Sequence, residues 1–120
     1  MFLSDSKTDL PADSATTGWI NAGSKAFGQI SPHTDSDWFR TYLVAGATYT
    51  LTMDADNLDS KLSLRDAGGV LLKSDTGLAD FYRAVISYTP TVSGYYYLDA
   101  QASGHTKSAG RYTLVDRSIN

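Results

Sequence analysis

Apolar and polar side chains alternate along two neighbouring stretches in the middle of the chain, which a turn at Gly46 separates. In the second stretch, Tyr49, Leu51 and Met53 fall on one face, and the intervening threonines fall on the other. A strict period of two predicts a strand with one buried face and one solvated face. The two stretches therefore predict a pair of long strands joined at Gly46.

The first of these stretches, residues 37–45, carries β-branched and aromatic residues that suit a pleated surface. Its alternation is less decisive, because large apolar side chains occupy both faces. We predict that Phe39 and Leu43 face the core. This choice leaves Trp38 and Tyr42 as half-exposed aromatic side chains on the opposite face.

Shorter pieces of the same pattern run through the rest of the chain. They predict strands over residues 15–21, 25–30, 60–66, 70–74, 83–89, 95–102 and 111–115. Asp66–Gly69 predicts a tight turn, since glycine supplies the positive φ that such turns require. Residues 54–59 are interpreted as an acidic turn, and the chain after Asp116 is expected to fray.

A glycine followed by Tyr-x-Leu occurs three times, at Tyr49, Tyr96 and Tyr112. With eight or nine short strands and no amphipathic helix, this pattern predicts an all-β fold, an antiparallel, jelly-roll-like β-sandwich. Periodicity alone does not separate a sandwich from a closed barrel. A chain of 120 residues predicts one domain, here residues 15–117. Residues 1–14 are interpreted as a flexible lead-in or linker and residues 118–120 as a tail.

Composition and charge exclude several classes of function. The chain has 13 acidic and 10 basic residues, a net charge of -3 and no cysteine. It therefore lacks the basic footprint of nucleic-acid-binding and anionic-membrane-binding proteins, and it has no disulfide or thiolate site. No apolar run reaches transmembrane length. Residues 1–7 lack the basic start and apolar run of a signal peptide.

Catalytic chemistry finds little support in the sequence, and we predict that the chain is not an enzyme. His33 and His105 are the only imidazole bases, and both fall in predicted loops. The chain contains neither a Gly-x-Ser-x-Gly nucleophile motif nor a His-Glu-x-x-His zinc motif.

Four aromatic side chains are candidate ligand-binding residues because the alternation turns them away from the predicted core. They are Trp38, Tyr42, Tyr95 and Tyr97. Exposed aromatic rings on a flat sheet stack on sugars or pack against fibrous proteins. The alternative is that these rings pair across neighbouring strands and only stabilise the sheet.

Short motifs along most of the chain resemble the bacterial pre-peptidase C-terminal domain family, which is related to the collagen-binding domains of clostridial collagenases. The matching segments are Gly28–Ile30, Asp35–Phe39, Ala45–Tyr49, Leu58–Asp59, Leu62–Leu64, Asp66–Gly69, Ser93–Leu98 and Gly110–Leu114. The resemblance implies a β-sandwich that is a non-catalytic, monomeric accessory domain of a secreted bacterial protease or other hydrolase. It implies binding to extracellular polymer, a collagen-like protein or a polysaccharide; the alternative is a structural spacer or an export- and folding-assisting domain.

The resemblance also implies a calcium site formed by Asp13, Asp35 and Asp37, although no cofactor is required. The lead-in lacks the run of Glu and Asn that the calcium-binding relatives carry, so the site is short of ligands. A specific site would raise the melting temperature in the presence of calcium. The second acidic group, in residues 54–59, lacks the ligand order of an EF-hand and is interpreted as a solvated turn.

Overall fold

The computed structural model describes residues 18–21, 23–30, 36–56, 60–76, 83–102 and 110–118. Within these ranges the chain forms eight strands and no helix, so no described segment is a candidate membrane-spanning helix. The strands are β1 (Ser24–Ile30), β2 (Ser36–Leu43), β3 (Tyr49–Asp56), β4 (Ser60–Arg65), β5 (Leu71–Thr76), β6 (Arg83–Tyr88), β7 (Gly94–Ala102) and β8 (Gly110–Ser118).

The strands form two four-stranded sheets that pack face to face. Sheet I has the order β1-β8-β3-β6, and sheet II has the order β2-β7-β4-β5. Every neighbouring pair of strands is antiparallel. The predicted all-β sandwich is therefore confirmed, and the two separate sheets replace the alternative of a closed barrel.

The core lies between the sheets and follows the predicted alternation. Tyr49, Leu51 and Met53 are buried on β3, and Phe39 and Leu43 are buried on β2. All three Tyr-x-Leu segments place both side chains in the same core. Gly94 and Gly110 are the first residues of β7 and β8, whereas Gly46 lies in the turn between β2 and β3. The repeated pattern therefore marks three strands whose Tyr and Leu side chains face the core.

Two boundary predictions are wrong. The acidic segment that begins at Asp54 is not a turn at its start, because β3 continues to Asp56 and is paired with β6 on one side and β8 on the other. The chain does not fray after Asp116, because Arg117 and Ser118 still pair with β3. A central strand is held from both sides, which extends pairing beyond the point where apolar alternation ends.

Residues 18–20 form hydrogen bonds with β2 along the edge that faces away from β7. The Ile20 N–H donates to the Arg40 carbonyl at 3.0 Å, and the Arg40 N–H donates to the Gly18 carbonyl at 2.9 Å. The strand predicted over residues 15–21 is thus a single parallel bridge between Trp19 and Arg40 within the described residues. This bridge carries the Trp19 ring onto the outer face of sheet II.

Candidate functional site: the outer face of sheet II

The outer face of sheet II is formed by alternate residues of β2, β7 and β4. Its rows follow the strand register: Tyr42 with Tyr95; Arg40 with Tyr97 and Arg65; Trp38 with Asp99 and Ser63; Ser36 with Gln101 and Lys61. Aromatic rings and charged groups are thus concentrated on one side of the molecule. The face divides into a closed half and an open half.

The closed half is a packed cluster of Trp38, Tyr97, Arg65 and Asp99. The Trp38 and Tyr97 ring centroids lie 5.5 Å apart. The Arg65 guanidinium carbon lies 5.0 Å from the Trp38 ring centroid, and Arg65 Nε lies 3.0 Å from Asp99 Oδ2. Arg65 Nη1 also donates to the Gly69 carbonyl at 3.1 Å. These contacts leave this arginine neutralised and held in place.

Asp99 completes the closed half because it accepts hydrogen bonds from three side chains. The donors are Ser36 Oγ at 2.5 Å, Gln101 Nε2 at 2.9 Å and Arg65 Nε at 3.0 Å. Asp99 is buried although it points away from the core between the sheets. A buried carboxylate needs such partners, so the closed half is a structural element of the sheet.

The expectation that Tyr97 is exposed is wrong. The alternation places it on the outer face as predicted, but its side chain is only 6% exposed. The Trp38 ring lies against it, and the long side chains of Arg40 and Arg65 occupy the same row on either side. Alternation predicts the face on which a residue lies, whereas burial on that face depends on the size of its neighbours.

The open half is a cluster of Trp19, Arg40, Tyr42 and Tyr95, called the open cluster below. Its three aromatic residues, Trp19, Tyr42 and Tyr95, are 41%, 46% and 45% exposed. The Tyr42 and Tyr95 centroids lie 5.2 Å apart, and those of Trp19 and Tyr95 lie 6.0 Å apart. The sequence predicted Tyr42 and Tyr95 as exposed aromatic residues, and both are exposed.

Arg40 lies at the centre of the open cluster. Its guanidinium carbon is 4.8 Å from the Trp19 ring centroid and 4.9 Å from the Tyr95 ring centroid. Both distances are within the range of cation–π attraction. The sequence pattern did not single out Arg40 or Trp19. Arg40 could have been found, because it alternates with Trp38 and Tyr42, but Trp19 reaches this face only through the bridge to β2.

Asp37, which was predicted as a calcium ligand, lies in the interior. Its side chain is buried, and Oδ2 accepts a 2.5 Å hydrogen bond from the Tyr112 hydroxyl. The Tyr112 ring packs edge-on against Phe39, at 6.2 Å between centroids. This contact explains two of the resemblance motifs as parts of one structural cluster.

The other two predicted calcium ligands, Asp13 and Asp35, lie outside the described residues, as do His33 and His105. No group of three or more metal-ligating side chains occurs among the residues that the structure describes. Asp37 is the one predicted ligand that the structure describes, and its carboxylate is hydrogen-bonded to Tyr112. The calcium site therefore stays a prediction.

A third buried carboxylate, Asp116, lies where β8 faces β2. Thr41 Oγ1 donates to Asp116 Oδ2 at 2.6 Å, while Oδ1 has no hydrogen-bond partner among the residues that the structure describes. Burial raises the pKa of the Asp116 carboxyl, and the hydrogen bond from Thr41 partly opposes that rise. Ionisation of Asp116 is therefore less favourable in the folded protein than in the unfolded chain.

A shallow cleft of about 420 Å³ adjoins the open cluster at one end of the sandwich. It lies between the turn that follows β4 and the loop that precedes β7, and Tyr95 lines it as well. Tyr96, at its base, donates to the Val92 carbonyl at 2.7 Å. Burial, followed by the effects of the neighbouring Tyr88 and Asp66, raises the pKa of Tyr96 above its usual value.

No protein-family model and no curated protein sequence matches this chain. Its fold matches that of solved bacterial proteins at low sequence identity. The pre-peptidase C-terminal domain of a collagenase from Bacillus anthracis aligns with a TM-score of 0.67 and 12% identity, covering 82% of this chain and 92% of that domain.

Two further structures share the fold. CorA, a surface-associated copper-binding protein of Methylomicrobium album, aligns with a TM-score of 0.60 at 11% identity, covering 84% of this chain and all of that one. PliG of Salmonella Typhimurium, a periplasmic inhibitor of g-type lysozyme, aligns with a TM-score of 0.53 at 16% identity. The alignment covers 87% of this chain and 100% of PliG. The chain thus has a fold similar to that of pre-peptidase C-terminal domains, one that proteins of different function share.

Proposed function

We propose that this chain is a non-catalytic domain that binds an extracellular polymer through the open cluster. The observation that carries the proposal is the set of three exposed rings, of Trp19, Tyr42 and Tyr95, held side by side on the face of a sheet. Rigid aromatic side chains provide large contact area at low entropic cost. Three of them beside a charged group form a surface suited to a repeating ligand.

The proposal includes a location outside the cytoplasm and attachment to a protease or other hydrolase. Support comes from the three proteins of similar fold, which are described as a collagenase domain, a surface-associated protein and a periplasmic inhibitor. A domain that holds a polymer raises the local concentration of that polymer at a linked catalytic module. Catalysis by the domain itself is not part of the proposal, nor is any membrane or nucleic-acid partner.

The rival function is that of a structural spacer or folding aid, in which the rings only stabilise the sheet. The closed half behaves in this way, because Trp38 and Tyr97 cover each other and Arg65 is neutralised. The open cluster differs in that about two fifths or more of each ring faces solvent. This difference between the two halves favours binding.

A sedimentation assay with insoluble collagen and insoluble polysaccharides tests the proposal. We expect the amount of protein that sediments with the polymer to fall about tenfold or more in the double variant Tyr42→Ala/Tyr95→Ala. Removal of central aromatic contacts has effects of this size at other interfaces. Phe27→Ala is the matched control, because Phe27 is 71% exposed and lies on sheet I. Equal losses in both variants, or no binding to any of these polymers by the unaltered domain, would favour the spacer.

A further inference from the structure

We infer that Arg40 is the group of the open cluster that recognises anions, and that the polymer it selects is built of sugar acids. This inference rests on the proposed function and specifies the chemical class of its ligand. It follows from the charge on Arg40, from the contrast with Arg65 and from the kind of surface that surrounds Arg40.

The positive charge of Arg40 is not compensated within the described part of the chain. Its side chain is exposed, and the ion pairs formed by the described residues involve Arg65 and Arg83 instead. Contact with the Trp19 and Tyr95 rings restricts the guanidinium without using up its N–H donors. Arg40 thus presents an oriented, planar set of donors to solvent, which matches the geometry of a carboxylate.

Arg65 provides an internal comparison on the same face. Both arginines lie over an aromatic ring at about the same distance, 5.0 Å for Arg65 and 4.8 Å for Arg40. Arg65 is paired with Asp99 and bonded to the Gly69 carbonyl, whereas Arg40 has no such acceptor among the described residues. On this face, Arg65 is therefore paired with a carboxylate of the protein, whereas Arg40 has no carboxylate partner among the described residues.

The charge of the whole outer face agrees with an anionic ligand. Among the described residues of β2, β7 and β4, three cationic side chains, of Arg40, Lys61 and Arg65, lie on this face with one carboxylate, that of Asp99, so these groups carry a net charge of +2. The complete chain carries a net charge of -3. This face is therefore locally positive on an acidic protein, which directs an anion to it over the short range that screening allows.

The combination of rings and guanidinium favours a sugar acid over a neutral polysaccharide and over an acidic polypeptide. A uronate residue carries a flat C–H face and a carboxylate on the same ring, so it can stack on Tyr42 or Tyr95 and pair with Arg40 together. A neutral polysaccharide would leave the charge of Arg40 unused. An acidic polypeptide would pair with Arg40 but offers no flat face to the exposed rings.

The experiment measures binding of the complete chain to polygalacturonate, to its fully methyl-esterified form and to poly-L-glutamate at about 0.15 M salt. Arg40→Gln removes the charge, and Arg117→Gln makes the same change on an exposed position of sheet I. Arg40→Lys keeps the charge and removes the planar fork. Thermal melting of each variant accompanies the binding assay.

We expect binding to polygalacturonate that weakens about tenfold or more on esterification and in Arg40→Gln, and that changes less than about twofold in Arg117→Gln. Arg40→Lys should also bind more weakly while melting normally. It provides the readout if Arg40→Gln reduces folding.

Equal binding to the esterified polymer, with dependence on Tyr42 and Tyr95, would overturn the role of Arg40 and leave the proposed function standing. Equal binding to poly-L-glutamate would replace the sugar acid by an acidic peptide. Equal loss in Arg117→Gln would mean nonspecific charge attraction. If neither form of the polysaccharide binds and the sedimentation assay is also negative, the proposed function falls with the inference.

Discussion

At the scale of single residues, the tyrosines of the three Tyr-x-Leu segments each combine a buried ring with a hydrogen-bonded hydroxyl. The Tyr49 hydroxyl accepts from the Val44 N–H at 3.0 Å, and the Tyr96 hydroxyl donates to a backbone carbonyl. The Tyr112 hydroxyl instead donates to the buried carboxylate of Asp37. A hydrogen bond to a charged or buried acceptor is worth more than one near solvent, so the three tyrosines are not equivalent.

Tyr112→Phe should destabilise the fold more than Tyr49→Phe does. Loss of the hydroxyl removes a donor from buried Asp37, and we expect a cost of about 1.5–3 kcal/mol. Tyr49→Phe is the matched control, with an expected cost of about 0.5–1.5 kcal/mol, because its hydroxyl bonds a part-buried N–H. Urea unfolding of both variants checks this order, and equal costs would contradict it.

Asp116 predicts a specific pH dependence of stability. Because the folded pKa of Asp116 is raised, its contribution to stability is complete below the unfolded pKa of about 4 and is lost as the pH rises through the folded pKa. Asp116→Asn cannot lose a proton. Relative to the unaltered protein, the variant should therefore gain stability as the pH increases from about 3 to about 8.

Thr41→Val provides a second readout of the same carboxyl group. The Thr41 hydroxyl lowers the pKa of Asp116, so its removal should raise that pKa further and increase the loss of stability at high pH. Unfolding free energies from urea titrations at several pH values test both variants. Parallel pH profiles for Asp116→Asn and the unaltered protein would show that Asp116 has an ordinary pKa.

At the scale of elements, Gly28 shows why β1 and β8 fit together. Gly28 lies opposite Tyr112 in the register, and a Cβ atom at Gly28 would overlap the Tyr112 ring and hydroxyl. The absence of a side chain lets the Tyr112 ring cross β1 toward Asp37. A glycine within a strand often marks such a close approach. The segments around Gly28, Asp37 and Tyr112 are far apart in sequence but depend on one another.

Gly28→Ala should therefore destabilise the sandwich by about 1–3 kcal/mol, as overpacking does in other cores. Gly68→Ala is the matched control: its nearest neighbour would be the Asp66 carboxylate at 3.5 Å, an ordinary contact, so we expect a change within about 0.5 kcal/mol. Thermal or urea unfolding measures both. A neutral Gly28→Ala would mean that the Tyr112 ring can move aside at no cost.

Most of the elements could be predicted from the sequence, because alternation and glycine turns are local signals. The central strand β3 and its buried face were predicted from Tyr49, Leu51 and Met53 alone. The ends of the strands were harder to predict. Asp56 and Ser118 belong to strands because they pair with distant residues, and a local sequence pattern does not indicate such pairing. Hydrogen bonds between the sheets could not be predicted either, because they depend on how the two sheets pack. One example joins β5 to β6, where Lys73 Nζ donates to the Ser87 carbonyl at 2.8 Å.

At the scale of the whole molecule, the two outer faces differ in chemistry. Among the described residues, sheet I presents threonines, arginines and the exposed ring of Phe27, and Arg83 there is paired with Asp54 at 2.6 Å. Sheet II presents the aromatic rings together. The alternation pattern correctly predicted that Tyr42 and Tyr95 are exposed on this face, but it assigned Tyr97 an exposure that it lacks. The sequence pattern could not place Trp19 on this face, because Trp19 precedes β1 in the chain and reaches sheet II only through its bridge to Arg40.

The fold alone does not specify the ligand, since proteins of this fold include a collagenase domain and a lysozyme inhibitor. The assignment of binding to the open cluster therefore depends on where a polymer contacts the surface. Backbone amide NMR shifts of the isotopically labelled chain, followed during titration with a soluble fragment of a bound polymer, measure that location directly.

We expect the shifts to concentrate on Trp19, Arg40, Tyr42 and Tyr95, with small changes on the outer face of sheet I. Shifts centred on Phe27 or Arg117, or spread evenly over both sheets, would contradict the assignment of the binding surface to the open cluster.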